Sequence, residues 1–314
     1  MAIRARSVGV VGLGNVGRAA AYAMYLQEVC EELVLVDLDP ELAHGEALDL
    51  MHGQGLTGRM SVRSGQIKDL TECQVIVLTA GSPQRPGQSR LDLLEKNTAI
   101  FASLAEDLDQ YAPTAVLVLA SNPVDVATYM LQTLNERPAR KVIGTGTMLD
   151  TTRLRTLVGE HYDVDPQSVH GYVLGEHGDS EVAIWSGMTI GGAPIQGESL
   201  LGIPYDQRAL DQIAVDVVES AYQIIEAKGY TNLAIGVVIA RLVDAILDDR
   251  RSMLPVSVRL TGEYGITDVA LSLPAQVGQH GVGRILELQL SASEVARIRE
   301  SARTMRASLA SVGF

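Results

Sequence analysis

The chain has little of what would tie it to a membrane, an oxidising compartment or nucleic acid. It carries two cysteines in 314 residues, Cys30 and Cys73. That is too few for a disulfide framework, and neither stands in a metal-ligand spacing. Reduced thiols, no metal and a cytoplasmic location are therefore expected. No apolar run approaches the roughly 18 to 20 residues that a membrane helix needs. The N-terminal "MAIRARSVGVVGLG" passes straight into a strand and a glycine turn, without the apolar stretch and small-residue cleavage site of a signal peptide. Basic charge is scarce as well. The 25 lysines and arginines stand against 38 acidic residues, for a net charge of −13. Such a balance argues against a phosphate backbone as partner, while local arginines remain free to hold a small anion. Only Lys68, Lys96, Lys141 and Lys228 are lysines, a bias that carries no mechanism. Repeats, linkers and low-complexity segments are absent.

What remains is an ordinary globular composition, 46% apolar and 20% charged, on a chain long enough for two cores. The first half alternates. Strand-like runs "SVGVVG", "ELVLVD", "MSVRSG", "QVIVLTA", "AVLVLAS" and "KVIGTG" are separated, with one exception, by helical patterns. Short strands that are almost wholly apolar are buried on both faces, as in a parallel sheet with helices on each side. Right-handed crossovers then give a doubly wound sheet. The second half differs. Strand-like pieces at 170–176 and 181–192 precede long helical patterns near 206–228 and 231–249. Then come "SMLPVSVRL", "DVALSLPAQVG" and "GVGRILEL", which read as antiparallel strands, and a helix near 291–312. The expected fold class is α/β, a doubly wound parallel sheet over 1–146 followed by a mixed α+β domain over 147–314.

"VGVVGLGNVG" places Gly12, Gly14 and Gly17 in a G-x-G-x-x-G spacing between a strand and a helix. The first glycine permits the tight turn, the second lets a pyrophosphate approach the backbone, and the third lets the helix pack on the strand. The helix N-terminus offers free N–H groups to the phosphates. Asp37 ends the second strand, 20 residues beyond Gly17, where an acid would bond both ribose hydroxyls of an adenosine and repel a 2′-phosphate. NAD is thus favoured over NADP. The competing reading is that Asp37 only opens the "DLDP" turn.

A second group of residues suggests chemistry. His177 sits between glycines in "LGEHGDSE", whereas His44, His52, His161 and His280 read as structural. "MLDTTRLRTLVGE" opens a helix with Asp150 and Arg153 three apart on one face. Arg155 is about 200° round from Arg153. A carboxylate can hold an imidazole in one tautomer and stabilise its protonated form. A guanidinium can grip a carboxylate with two parallel hydrogen bonds. Together they would serve oxidation of a 2-hydroxy acid. The residues alone leave open a surface ion pair between Asp150 and Arg153, worth little.

These motifs, with "VIVLTAG", "RPGQSRLDLLEKN", "ASNPVD", "GTGTMLDTTRLR", "GEHGDSEVAIWS" and "YGITDVALSLP" in the same order, resemble the NAD-dependent L-lactate/malate dehydrogenases over essentially the whole chain. The resemblance implies a Rossmann-type NAD domain and a cytoplasmic homo-oligomer, dimeric or tetrameric, with the tetramer preferred. It implies His177 as proton donor and acceptor, Asp150 as its orienting carboxylate and Arg153 as the substrate clamp. Asn122 would help to place substrate and cofactor, Thr231 would line the substrate pocket, and Val16 would join the cofactor-binding glycines. The segment "GSPQRPGQSR" (81–90) would be a lid that brings Arg90 to the reacting carbonyl. Within it Gln84, six residues before Arg90, would face the variable part of the substrate. Malate-type members have arginine there, in a pattern R-K-P-G-x-[ST]-R. "QRPGQSR" sets neutral Gln84 opposite that arginine and Arg85 opposite the outward lysine, which suits pyruvate and L-lactate rather than oxaloacetate. Arg155 and His170 match a pair that binds fructose 1,6-bisphosphate in bacterial members. The alternatives are a malate or other L-2-hydroxy-acid dehydrogenase, and a non-catalytic NAD sensor, which would be expected to lack His177, Asp150 or Arg153.

Overall fold

The computed structural model describes residues 5–81 and 90–314, with backbone alone for residues 90–95. The first half is built from strands β1 (Ser7–Val11), β2 (Glu32–Val36), β3 (Ser61–Gly65), β4 (Val75–Leu78), β5 (Val116–Leu119) and β6 (Val142–Gly144). Its helices are α1 (Asn15–Leu26), α2 (Pro40–His52), α3 (Arg90–Tyr111) and α4 (Val124–Leu134). The strands are parallel and ordered β3-β2-β1-β4-β5-β6. The order reverses between β1 and β4, and ligands of such sheets bind in the crevice beyond the strand ends at that point.

Alternate residues along each strand feed two different cores. Val8, Val10, Leu33, Leu35, Val75 and Val77 pack on one face with Ala20 and Met24 of α1. Val11, Val34, Val36, Ile76 and Leu78 pack on the other with Phe101 and Leu108 of α3. The strands read as unbroken apolar runs because both faces are covered. The α2 helix starts where the sequence signals it. Asp39 accepts hydrogen bonds from the Glu41 and Leu42 N–H groups, with Pro40 in the first turn.

The second half contains α5 (Met148–Tyr162), α6 (Gln207–Lys228), α7 (Leu233–Leu247) and α8 (Ala292–Ser311). The two strand-like pieces are broken into two-residue strands, β7 (Val169–His170), β8 (Val173–Leu174), β9 (Val182–Ala183) and β10 (Thr189–Ile190), and three more follow beyond them, β11 (Ala193–Pro194), β12 (Ser199–Leu200) and β13 (Ile203–Pro204). They and the inner faces of α5 and α6 enclose a third core around Leu154, Val158, Trp185 and Ile213. The long strands β14 (Ser252–Thr261), β15 (Thr267–Gly278) and β16 (Gly281–Ile285) are antiparallel. They do not form a sheet of their own. β14 pairs antiparallel with β6 through Ser257 and Gly144, so one nine-stranded sheet runs through both halves. The α1 and α7 helices also touch closely. A Cβ on Gly236 would lie 2.7 Å from the Ala19 backbone, so only glycine fits there. This fold carries the segment 175–181 beside β15, where Gly175 bridges Ser272.

Candidate active site

The glycine turn stands at the C-terminal end of β1. Gly12 has φ +95°, and a Cβ on it would meet the Ala80 nitrogen at 2.6 Å. A Cβ on Gly17 would sit 1.9 Å from the Gly12 carbonyl oxygen, so the helix packs on the turn only because that atom is missing. Around Gly14 no atom would come within 4 Å of such a Cβ. That open space lies beside the start of α1, whose N-cap, Gly14, makes no side-chain capping bond. The first N–H groups of the helix, Val16 and Gly17 among them, have no partner within the helix and are the kind of donors that phosphates accept from. Asp37 completes the end. Its carboxylate accepts from the Leu13 N–H at 2.6 Å and from the Asp39 N–H at 3.0 Å. It does open the "DLDP" turn, but it also reaches back to the glycine loop, where a ribose would lie. This arrangement fits a dinucleotide.

The chemical end is organised by one carboxylate. Asp150, 2% exposed on the first turn of α5, bonds the His177 Nδ1 at 2.6 Å through one oxygen and the Arg153 Nη1 at 2.9 Å through the other. The Asp150–Arg153 pair is therefore not a surface ion pair. Burial alone would raise the Asp150 carboxyl, but the charge and hydrogen bond of His177, with Arg153 beside it, hold it below the usual carboxylate range. Burial alone would lower the His177 imidazole. The charge and hydrogen bond of Asp150 outweigh that and push it up to about 9.

The backbone of His177 is held too. Its N–H donates to Asp125 Oδ2 at 2.7 Å, and Asp125 Oδ1 accepts from the Ser257 hydroxyl at 2.5 Å. Burial pushes the Asp125 carboxyl up to about 6, against the pull of those two donors toward the charged form. The α8 helix grips the same segment from the far side. The Glu176 N–H donates to Ser301 Oγ at 2.8 Å, and the Ser180 hydroxyl bonds both Ser301 and Glu176. Glu294 caps α8 and accepts from the Trp185 N–H at 2.8 Å. Glu181 lies 7% exposed with a carboxyl oxygen near His177 and Asp150.

His177, Asp150 and Arg153 are thus brought together. Asn122 follows β5, joined to Pro123 by a cis peptide bond, and its carbonyl oxygen accepts from Asn97 Nδ2 at 3.1 Å. Thr231 sits half-buried between α6 and α7. Gln84 and Arg85 lie outside the described residues, as does the side chain of Arg90, whose backbone begins α3. Arg155 is engaged elsewhere than with Asp150 and His177. Its Nε donates to the Gly171 carbonyl at 3.1 Å, and its guanidinium lies 5.5 Å over the Tyr172 ring, beside the exposed His170.

Sequence reasoning missed Asp125, Glu181, Ser257 and Ser301. Asp125 and Glu181 end motifs that were quoted, "ASNPVD" and "LGEHGDSE", so proximity in sequence was a usable signal. Ser257 and Ser301 had none, since each meets its partner across more than a hundred residues.

Two family descriptions match the chain. Residues 6–144 match the lactate/malate dehydrogenase NAD binding domain, and residues 147–313 the lactate/malate dehydrogenase alpha/beta C-terminal domain. The L-lactate dehydrogenase of Salinibacter ruber is 52% identical over 98% of each chain. L-lactate dehydrogenase B of Hordeum vulgare is 44% identical, over 96% of this chain and 89% of that one. The crystal structure of the minor L-lactate dehydrogenase of Enterococcus mundtii in its ligands-bound form superposes with a TM-score of 0.96, at 42% identity and 99% coverage of both chains.

Proposed function

The chain belongs to the lactate/malate dehydrogenase family, and from that premise we propose that it is an NAD-dependent L-lactate dehydrogenase, interconverting pyruvate and L-lactate. The observation that carries this reading is the single carboxylate of Asp150, which orients an imidazole and a guanidinium at once. NAD binds the first half of the chain and, when bound, supplies or accepts the hydride at C2 of the substrate. The Asp37 carboxylate and the glycine turn with Val16 would hold its ribose and phosphates.

The remaining steps belong to the side chains. Arg153 binds the substrate carboxylate through two N–H groups. With Nδ1 committed to Asp150, the His177 Nε2 is the atom that exchanges a proton with the substrate oxygen. In pyruvate reduction it gives that proton to the carbonyl oxygen as hydride arrives. In lactate oxidation it takes the hydroxyl proton, and Asp150 stabilises the imidazolium that forms. Asn122 and Thr231 would line the pocket, Arg90 would polarise the carbonyl, and neutral Gln84 would accept the methyl of pyruvate.

Residues 1–146 would form the NAD-binding domain and 147–314 the catalytic one. Buried thiols at Cys30 and Cys73 suit a reducing cytoplasm. Among the described residues no helix is long and apolar enough to cross a membrane. Arg155 borders a cavity of about 560 Å³ with Arg241, Val237 and Met253. The exposed Val237 and Met253 support a homo-oligomer, which would be a tetramer, and Arg155 with the exposed His170 would bind fructose 1,6-bisphosphate.

NADH oxidation with pyruvate and oxaloacetate in parallel, each with and without fructose 1,6-bisphosphate, tests the reading. A large kcat/KM preference for pyruvate is expected, with activation at sub-saturating pyruvate. A preference for oxaloacetate would overturn the role of Gln84, and equal rates with and without the bisphosphate would remove the effector site. Sedimentation velocity decides the oligomer.

A further inference from the structure

We propose that Glu181 stands in the active site as an uncharged carboxylic acid, and that its neutrality keeps the charge of Arg153 available to the substrate carboxylate. This inference rests on the functional reading above and adds a positioning residue to it.

The geometry sets Glu181 apart from the other acids. It is 7% exposed, and a carboxyl oxygen of Glu181, one of Asp150 and a ring nitrogen of His177 lie within 4.8 Å of one another. Asp150 has two cationic partners there, whereas the Glu181 carboxyl has no hydrogen bond to protein among the described residues. Carboxylates that share one buried site do not both ionise freely, and the one with partners keeps the charge.

The charged groups facing Glu181 decide the balance. Asp150 and Arg153 come from α5, and His177 and Glu176 from the catalytic segment. From α8, Arg297 donates to the Glu181 carbonyl oxygen at 3.4 Å and so supports its backbone. From α4, Asp125 is committed to Ser257 and the His177 N–H. Glu176 is bonded by Ser180 at the more open side. With His177 protonated, its charge and that of Arg153 are already matched by Asp150 and Asp125. An ionised Glu181 would make the pocket net negative before an anionic substrate arrives, and would compete for Arg153. Burial, followed by the charge of Asp150, pushes Glu181 up to about 9, against the pull of His177 and Arg153. Above that pH, binding of an anion to Arg153 must carry a proton to Glu181 as well as one to His177.

Two readouts test this on the intact enzyme with NADH bound. In infrared spectra at pH 7.5 the wild type is expected to show a protonated carboxyl C=O band that is missing from Glu181→Gln. Absence of that band in the wild type would overturn the proposal. Oxamate, the amide analogue of pyruvate, is then titrated from pH 7.5 to 10. The wild-type and variant Kd values should nearly coincide at pH 7.5 and diverge as pH rises, the variant binding about tenfold more tightly near pH 10. Tenfold tighter binding by the variant already at pH 7.5 would mean that Glu181 is ionised, and would also overturn it. If Glu181→Gln does not fold, as judged by NADH binding, wild type labelled with ¹³C-glutamate decides: the carboxyl band must shift with the label. Failure of the wild type to turn over pyruvate would strike the functional reading instead, since the infrared band needs no substrate.

Discussion

Replacing Asp150 with asparagine tests the centre of the mechanism. The amide keeps the size of the carboxylate and removes its charge. In the native protein Asp150 lies 2.6 Å from the His177 Nδ1, and the imidazole is pushed up to about 9 against a burial effect that favours the neutral ring. Without the charge, burial has little opposition, and the imidazole should fall to its ordinary 6.5 or below. A shift of that size corresponds to about 3 kcal/mol lost from the imidazolium. The sign follows from the chemistry. In the proposed mechanism pyruvate reduction uses protonated His177, so activity should be present below its pKa and lost as pH rises through it. The alkaline limb of kcat/KM for pyruvate, which reports the free enzyme, should move down by two units or more. At pH 8 the protonated fraction, and kcat/KM with it, should fall about thirtyfold. Lactate oxidation uses the neutral ring, so its acid limb should move down by the same amount. The assay is initial rate against pH in both directions, with NADH binding followed by fluorescence as a control for folding. An alkaline limb within about half a unit of the wild type would refute the claim that Asp150 sets the charge of His177.

Three further substitutions probe other parts of the site. His177→Asn should abolish turnover almost completely while NADH still binds; loss of both together would make His177 a structural residue. Asp37→Ser removes the acceptor of the Leu13 N–H and the anion that a 2′-phosphate would meet. NADH should bind about tenfold more weakly and NADPH no worse than before, and an unchanged NADH:NADPH preference in kcat/KM would exclude Asp37 from the ribose site. Ser301→Ala takes a hydrogen-bond partner from the Glu176 N–H and from the Ser180 hydroxyl. A loss of about 1–2 kcal/mol in unfolding free energy is expected, with a lower kcat and an unaltered NADH Kd. Unchanged kcat would mean that α8 does not position the catalytic segment.

Much of the fold was legible because its signals are local. Apolar runs between helical patterns mark a parallel sheet, since strands covered on both faces need no polar alternation. The glycine spacing of 12, 14 and 17 was legible because Gly12 and Gly17 leave no room for a side chain and Gly14 keeps open the space where a pyrophosphate would approach. The face shared by Asp150 and Arg153 follows from helical periodicity alone. The surface-pair alternative was not dismissible from sequence, because burial of that face depends on His177, which lies on another segment. The segments 170–176 and 181–192 read as two longer strand-like pieces, whereas the structure breaks them into two-residue strands and adds three more over 193–204. Their apolar residues pack inward on α5 and α6 rather than along one continuous ladder.

By itself, then, the sequence determined the order of the elements, the nucleotide turn, and which residue types could clamp a carboxylate and move a proton. These depend on contacts within a few residues, where covalent geometry and periodicity leave few choices. Only the tertiary structure decided that β14 extends the parallel sheet through Ser257 and Gly144, that Asp125 and Ser301 anchor the segment bearing His177, and that, among the described residues, the Asp150 carboxylate holds two cationic partners while the neighbouring Glu181 carboxyl has no hydrogen bond. Charge states belong to this second class, because they are set by burial and by groups that meet across the fold, not by neighbours along the chain.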